Sequence, residues 1–218
     1  MTSPIILDKV IEYNPMQCVI LHGAFGNKNA NWFPWLKTEL QKQGHEVFLD
    51  QYPVDSWDDI EKSGKENTNT VQNLQSWTSF FEQNVLPKLD PTQELVFFGH
   101  SLSPVFILHL ITKHHLRTKG VIAVSPFMEA LENEATWQFD VVNHTFYKTD
   151  FDWNMLKTLS PFSVVIYGEK DPYVPPRFPL KFAKILGSEI ICVKNGGHLG
   201  GELTEFPLLL ELFKKISK

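Results

Sequence analysis

The stretch Glu94–Leu110, which reads ELVFFGHSLSPVFILHL, decides how the rest of the chain is interpreted. Its first half is a continuous apolar run, typical of a strand buried on both faces of a parallel sheet. Its second half is also apolar and begins near Pro104, which the first turn of a helix tolerates. A strand that runs directly into a helix through Gly99–Ser103 predicts a tight turn with Ser101 at its apex.

Outward from this stretch, short apolar strands alternate with amphipathic helices. This alternation predicts an α/β fold: a three-layer αβα sandwich around a mostly parallel sheet with right-handed crossovers. The six predicted strands are Cys18–His22, Glu46–Gln51, Glu94–Gly99, Gly120–Ser125, Ser163–Tyr167 and Glu189–Val193. The main predicted helices are Trp32–Gln43, Val71–Leu86, Leu102–His115, Pro179–Leu186 and Phe206–Ile216.

Two segments interrupt the alternation. Val54–Thr70 is polar and is predicted to be a loop with a short helix. Pro126–Leu159 combines acidic and aromatic residues, and we expect a short lid-like insertion there. At about 34 residues it is too short for a second domain, so the chain is predicted to be a single domain over residues 1–218.

The composition argues against several classes of function. The 218 residues carry a formal net charge of −5 without a basic block, so we expect no nucleic-acid or membrane partner. The N-terminus lacks the features of a signal peptide and no apolar run approaches about 18 residues, which predicts a cytoplasmic protein. Cys18 and Cys192 lie in apolar runs and are expected to be small core residues rather than a disulfide.

The turn around Ser101 carries the pattern of a catalytic nucleophile. Gly99–Ser103 matches the G-x-S-x-G nucleophile elbow of α/β-hydrolases except that Ser103 replaces the second glycine. A serine hydroxyl is a weak nucleophile, so it needs a histidine base and an acid that orients that histidine. In this fold the acid and then the histidine follow the serine along the chain.

The acid and the base are predicted from their places after the late strands. Asp171 follows the fifth predicted strand, at the sheet edge where catalytic groups collect. Glu169 is its nearest competitor, whereas Asp150 and Asp152 are weaker candidates because no strand precedes them directly. His198 is the candidate base, because it is the only histidine after the last strand and lies in a glycine-rich loop.

Acyl chemistry also needs an oxyanion hole and a substrate pocket. One donor is expected to be the backbone N–H of Leu102, at the start of the nucleophile helix. The second should come from the loop after the first strand, with Ala24 as the first candidate and Phe25 as the second. The residues expected to line a partly aromatic pocket adjoin these loops: Phe25, Phe127, Trp137, Tyr173 and Leu199.

Several short motifs together carry a family resemblance. They are His22-Gly23, the WFPWL run Trp32–Leu36, Tyr52-Pro53, Gly99–Ser101, Gly168 with Asp171-Pro172, and Gly197-His198. With these motifs, nearly the whole chain resembles the compact serine hydrolases related to the retinoblastoma-binding protein nine. It departs from their usual pattern at Ser103-Pro104.

The resemblance implies a triad of Ser101, Asp171 and His198. It also implies a sheet of order 2-1-3-4-5-6, without the first two strands of larger α/β-hydrolases. Members are described as carboxylesterase-like or peptidase-like, and one is named for binding a tumour suppressor.

The leading functional hypothesis is hydrolysis of a small carboxylic ester, thioester or amide through an acyl-enzyme on Ser101. It requires a small-molecule acyl substrate and no metal or organic cofactor. An alternative from another class is a catalytically weak protein with the same fold that acts mainly through a protein partner, although no motif indicates one. Acyl transfer to an acceptor other than water is a third possibility that the residues do not separate from hydrolysis.

Overall fold

The computed structural model describes residues 14–217, which form a six-stranded sheet with helices on both faces. The strands are β1 (Gln17–Leu21), β2 (Glu46–Leu49), β3 (Leu95–His100), β4 (Gly120–Val124), β5 (Ser163–Gly168) and β6 (Glu189–Val193). All neighbouring strands are parallel, and their order is β2-β1-β3-β4-β5-β6. The predicted fold class and strand order are therefore confirmed, with strand ends shifted by one or two residues.

Successive side chains along a strand point to opposite faces of the sheet, which creates two hydrophobic cores. Phe97 packs in one core and Phe98 in the other, for example. The helices are α1 (Phe33–Lys42), α2 (Trp57–Ser63), α3 (Leu74–Asn84), α4 (Ser103–His114), α5 (Gln138–Asn143), α6 (Trp153–Leu159), α7 (Arg177–Leu186) and α8 (Pro207–Ile216). Helices α1 and α8 cover the core of Phe98, and α3, α4, α6 and α7 cover the core of Phe97.

Helix α3 begins three residues later than the prediction for Val71–Leu86. Asn73 stops the helix from extending further toward the N-terminus, because its side chain accepts a hydrogen bond from the N–H of Ser76 at 2.8 Å. The Ser76 hydroxyl in turn accepts the N–H of Asn73, which completes a capping box. The polar segment before it contains the expected short helix, α2.

The two cysteines differ in a way that the sequence did not predict. Cys18 is buried in β1, where burial raises the pKa of its thiol. Cys192, which was expected in the core, is exposed, and both are free thiols. The reason is that β6 is an edge strand, so its apolar run is covered much less than those of the inner strands.

Segment 126–159 contains α5, α6 and two short 3₁₀ turns, Glu134–Thr136 and His144–Phe146. Its fold is organised by the Asp140 carboxylate, which accepts hydrogen bonds from the backbone of Leu131 and Glu132 and from the Tyr147 hydroxyl. Whether this segment acts as a lid remains a prediction. Among residues 14–217, no helix combines the length and apolar character needed to cross a membrane.

Candidate active site

Ser101 lies at the apex of the turn between β3 and α4. Its backbone φ is 62°, the left-handed conformation that lifts a side chain out of a strand–helix turn. Its N–H donates to the carbonyl of Val124 at the end of β4, at 2.8 Å. The loop after β1 comes so close that a Cβ on Gly23 would lie 2.8 Å from the Cβ of Ser101, so only glycine fits there.

Ser103, the departure from the usual elbow motif, is fully buried and forms part of the turn. Its hydroxyl accepts the N–H of His100 at 3.0 Å. It also lies 2.9 Å from the carbonyls of Leu21 and His22 and 2.8 Å from that of His100, any one of which can receive its proton. The hydroxyl therefore links the elbow to the end of β1 by hydrogen bonds. The glycine usual at this position of the motif has no side chain and could not form them.

Asp171 and His198 form a hydrogen-bonded pair at the ends of β5 and β6. Nδ1 of His198 lies 2.8 Å from Oδ2 of Asp171, and the carboxylate can only accept, so the imidazole carries its proton on Nδ1. The other carboxylate oxygen accepts the N–H groups of Tyr173 and Val174, each at 2.9 Å. The Asp171 side chain is 1% exposed.

The surroundings of Asp171 keep it charged despite this burial. Burial alone acts to raise the pKa of the carboxyl. The hydrogen bond and charge of His198, with the two backbone N–H groups, outweigh that effect and lower the pKa below its ordinary value. An ionised Asp171 can hold the His198 ring in one tautomer and stabilise it when it becomes protonated.

The competing acids lie elsewhere. Glu169 is exposed and accepts the N–H of Asn195 at 2.9 Å. Asp150 pairs with Lys148, and Asp152 caps helix α6. Of the four acids considered, only Asp171 contacts His198.

Ser101 and His198 line the same cleft, which has a volume of about 480 Å³. Within the described part of the chain, the Ser101 hydroxyl makes no hydrogen bond. The hydrogen bond between this hydroxyl and the His198 imidazole is therefore not formed in this structure. Catalytic hydrogen bonds are often long without substrate and tighten when it binds.

Residues that the sequence analysis did not assign hold His198 in place. The His198 carbonyl accepts Nε2 of His100 at 3.0 Å and the Ser125 hydroxyl at 2.9 Å. The next carbonyl, that of Leu199, accepts the indole N–H of Trp32 at 2.9 Å. Burial lowers the pKa of His100 to about 3, so its ring is neutral near pH 7. The elbow motif places His100 beside Ser101, but no sequence pattern pairs it with residue 198.

Of the two expected oxyanion donors, Ala24 lines the cleft together with Ser101, and Leu102 follows Ser101 in the chain. Neither of their backbone N–H groups donates a hydrogen bond to another residue in the described range. The alternative donor, the N–H of Phe25, is occupied by Oε1 of Gln72 at 3.0 Å. The geometry therefore favours Ala24 over Phe25.

Of the five predicted pocket residues, the structure brings two into the cleft. Phe25 and Tyr173 line it, together with Phe139, which the sequence analysis did not single out. The ring centroids are 5.7 Å apart for Phe25 and Phe139 and 5.5 Å apart for Phe139 and Tyr173, which forms an aromatic wall. Polar side chains also line the cleft: Asn27, Asn31 and Glu202.

The other three predicted pocket residues lie outside the cleft. Phe127 is buried in the core beside Tyr147. Trp137 lines a separate cavity of about 290 Å³. Leu199 is buried with the helices on the α1 and α8 side of the sheet. None of these three side chains lines the cleft that contains Ser101.

Comparison with known proteins gives one family and several relatives. A family model described as serine hydrolase matches residues 18–214. YdeN of Bacillus subtilis (strain 168), which is named as a candidate hydrolase, is 26% identical over 187 residues. That alignment covers 84% of this chain and 85% of YdeN.

Solved structures with the same fold include YdeN itself, with a TM-score of 0.73 and 24% identity over 93% of this chain and 100% of that one. Est1E of Butyrivibrio proteoclasticus, solved with ferulic acid, has a TM-score of 0.65 at 15% identity, and the match covers 96% of this chain and 93% of Est1E. Polyneuridine aldehyde esterase has a TM-score of 0.64 at 13% identity, and the match covers 94% of this chain and 100% of the esterase. These likenesses identify the architecture as the α/β-hydrolase fold.

Proposed function

Because the chain belongs to the serine hydrolase family, we propose that it hydrolyses a small carboxylic ester, thioester or amide through an acyl-enzyme on Ser101. The observation that carries this proposal is that His198, whose Nδ1 lies 2.8 Å from Oδ2 of Asp171, lines the same cleft as Ser101, which sits at an elbow with φ 62°. This is the arrangement in which a serine gains both a base and an orienting acid.

In the proposed first half-reaction, Oγ of Ser101 attacks the carbonyl carbon and its proton passes to Nε2 of His198. The carbonyl oxygen becomes an oxyanion that accepts the N–H groups of Ala24 and Leu102. His198 then gives its proton to the leaving oxygen, sulfur or nitrogen as the bond to carbon breaks. Asp171 remains ionised and stabilises the imidazolium throughout.

In the second half-reaction, His198 takes a proton from water, which attacks the acyl-enzyme. The carboxylic acid leaves and Ser101 recovers its proton. The chemistry uses side chains and backbone donors that are all present in the chain, so no step requires a metal or organic cofactor.

The cleft supports a substrate with one small apolar or aromatic group. The wall of Phe25, Phe139 and Tyr173 offers ring faces and edges to a substrate. The volume of the cleft suits a small molecule. Est1E, which shares the fold, was solved with an aromatic acid. The finer grouping with the retinoblastoma-binding protein nine family is also a proposal, supported by the motifs from His22-Gly23 to Gly197-His198.

Labelling with a fluorophosphonate tests the nucleophile, and a panel of acetyl, phenylacetyl and benzoyl esters, thioesters and amides tests the reaction. We expect wild type to label and to cleave at least one ester, and Ser101→Ala to do neither. Ser217→Ala, an exposed serine outside the cleft, is the matched control. An unlabelled wild type, or Ser101→Ala with wild-type turnover, contradicts the proposal.

Adding an alcohol to the same assay separates hydrolysis from transfer. If water is the acceptor, the free acid remains the main product at moderate alcohol concentration. A dominant new ester would instead identify an acyltransferase.

A further inference from the structure

We propose that Gln72 is a positioning residue for the oxyanion hole, which it holds in shape by accepting the N–H of Phe25. This inference rests on the proposed function, because it concerns the donors that stabilise the acyl-transfer transition state. Gln72 lies in the irregular segment between α2 and α3, far from every catalytic residue in sequence.

Gln72 is a buried polar residue, and each polar group of its side chain and backbone makes a hydrogen bond. It is 0% exposed. Oε1 accepts the N–H of Phe25 at 3.0 Å, and Nε2 donates to Oδ1 of Asn143 at 2.8 Å. Its own N–H donates to Asp55 at 2.8 Å, and its carbonyl accepts the hydroxyl of Thr70 at 2.9 Å. A side chain held at both ends, on a backbone held at both ends, can fix the atoms that it contacts.

The residue that Gln72 holds is conformationally strained. Phe25 has φ 53°, a left-handed conformation that is unfavourable for a non-glycine residue. The turn is also closed by a backbone hydrogen bond from Gly26 to Gly23 at 3.1 Å. Without an acceptor at Gln72, the N–H of Phe25 would be left without a partner in a partly buried site, and the strained conformation would lose its main compensation.

The position of this turn matters because the neighbouring N–H is the expected oxyanion donor. Ala24 lies between Gly23, which is pressed against Ser101, and Phe25, which Gln72 holds. With the Phe25 N–H turned toward Gln72, the donor left for the cleft is that of Ala24. A small rotation of Phe25 would therefore move the Ala24 donor relative to the oxyanion, where distance and direction set its effect.

Asn143 extends this contact to the segment 126–159. It lies at the end of α5 and is fully buried. The chain Phe25–Gln72–Asn143 thus joins the oxyanion loop to the proposed lid segment through one side-chain amide. With Oδ1 of Asn143 facing Gln72, the side chain at position 72 accepts from Phe25 and donates to Asn143, which an amide or a protonated acid can do.

The test compares Gln72→Met, which keeps the length of the side chain and removes both hydrogen bonds, with Gln72→Glu. Burial raises the pKa of a carboxyl, so the protonated form of this Glu side chain, which can accept from Phe25 and donate to Asn143, becomes more populated as the pH falls. Gln75→Met, the same chemical change on the exposed face of α3, is the control. Each is assayed for kcat, KM and the affinity of a boronic acid, which forms a tetrahedral adduct with Ser101.

We expect Gln72→Met to lower kcat by about tenfold to a hundredfold, below the full loss of one oxyanion donor. KM should change less than about twofold, and boronate affinity should fall in parallel with kcat. Gln72→Glu should recover most of kcat as the pH is lowered within the active range.

An unchanged kcat in Gln72→Met, a loss confined to KM, or equal losses in the Met and Glu variants at every pH overturns the inference. If Gln72→Met does not fold, the pH dependence of kcat in Gln72→Glu is the test. A kcat that recovers as the pH is lowered supports the inference, and one that stays low at every pH overturns it. Failure of the proposed function is distinguishable, because then wild type itself shows no Ser101-dependent turnover.

Discussion

The nucleophile elbow, residues 99–103, and the histidine loop, residues 194–202, meet at one cleft but are held in different ways. The elbow lies between β3, whose residues are all buried, and α4, which is mostly buried, and the Ser103 hydroxyl links it to β1. The histidine loop follows an exposed edge strand and is held by polar bonds from distant residues: Trp32, His100, Ser125 and Asp171. Core packing places the serine, whereas a few directional contacts place the base.

This difference predicts that the histidine side of the site is the easier one to disable without unfolding the protein. Single substitutions around His198 should reduce activity more than stability. Substitutions inside the elbow should reduce stability as well.

The largest effect is expected from Asp171→Asn. The amide keeps the size of the side chain but lacks the charge that holds His198 in its tautomer and stabilises the imidazolium. We expect kcat to fall by about 10⁴-fold, as for the equivalent change in the serine protease triad. Glu169→Gln, the nearby exposed acid, is the matched control and should stay near wild type in the same ester assay. A comparable loss in both variants would contradict the assignment of Asp171.

The next largest effect is expected from Gly168→Ala, which tests the packing beneath the histidine loop. A Cβ on Gly168 would lie 1.9 Å from the carbonyl oxygen of Gly197, so Gly168→Ala must push the loop outward. A displacement of about 1 Å can cost about 10²-fold in rate. Gly64→Ala, which strains a turn with φ 85° outside the cleft, should lower the melting temperature without lowering kcat. A Gly168→Ala enzyme with wild-type kcat would show that the loop adapts.

The elbow side is tested by Ser103→Ala. Removing the hydroxyl leaves the buried N–H of His100 without its acceptor, and we expect the free energy of unfolding to fall by about 1–3 kcal/mol. Ser160→Ala is the matched control, because among residues 14–217 the buried hydroxyl of Ser160 has no hydrogen-bond partner. Urea unfolding of the two variants measures the difference. Equal stability would mean that the Ser103 hydroxyl contributes nothing to the elbow.

The smallest effect is a pH dependence that comes from His100. Its pKa is lowered to about 3 by burial and the nearby charge of His198, against about 6.5 when unfolded. Between these values the unfolded state binds a proton that the folded state does not, so stability falls as the pH drops below about 6.5. His100→Gln keeps a donor without titrating and should flatten this slope by up to about 1.4 kcal/mol per pH unit.

Urea unfolding of wild type and His100→Gln at pH 7, 6 and 5 measures that slope. Gln75→Ala, which changes an exposed side chain that does not titrate, is the control and should leave the slope unchanged. Identical slopes for wild type and His100→Gln would show that His100 does not contribute to the acid sensitivity.

Much of the fold could be predicted from local patterns. Continuous apolar runs such as ELVFFG and SVVIYG are typical of strands buried on both faces of a sheet. Their alternation with helices along the chain favours a parallel sheet. Ser101, Asp171 and His198 were predicted in the same way, because each follows a strand and the carboxyl ends of parallel strands meet at one edge. The exposed Cys192 was missed because nothing in its own run indicates that β6 lies at the edge.

The sequence by itself determined the α/β architecture and predicted the three residues of the candidate triad, since strand periodicity and strand–turn motifs are local properties. The strand order was implied by the family resemblance and is confirmed by the structure. Only the tertiary structure decided that Gln72 holds Phe25, that His100 and Ser125 hold His198, and that Phe139 rather than Phe127, Trp137 or Leu199 lines the cleft. The physical reason is that these contacts join irregular segments far apart in sequence. The direction of a side chain there depends on packing that no local pattern records.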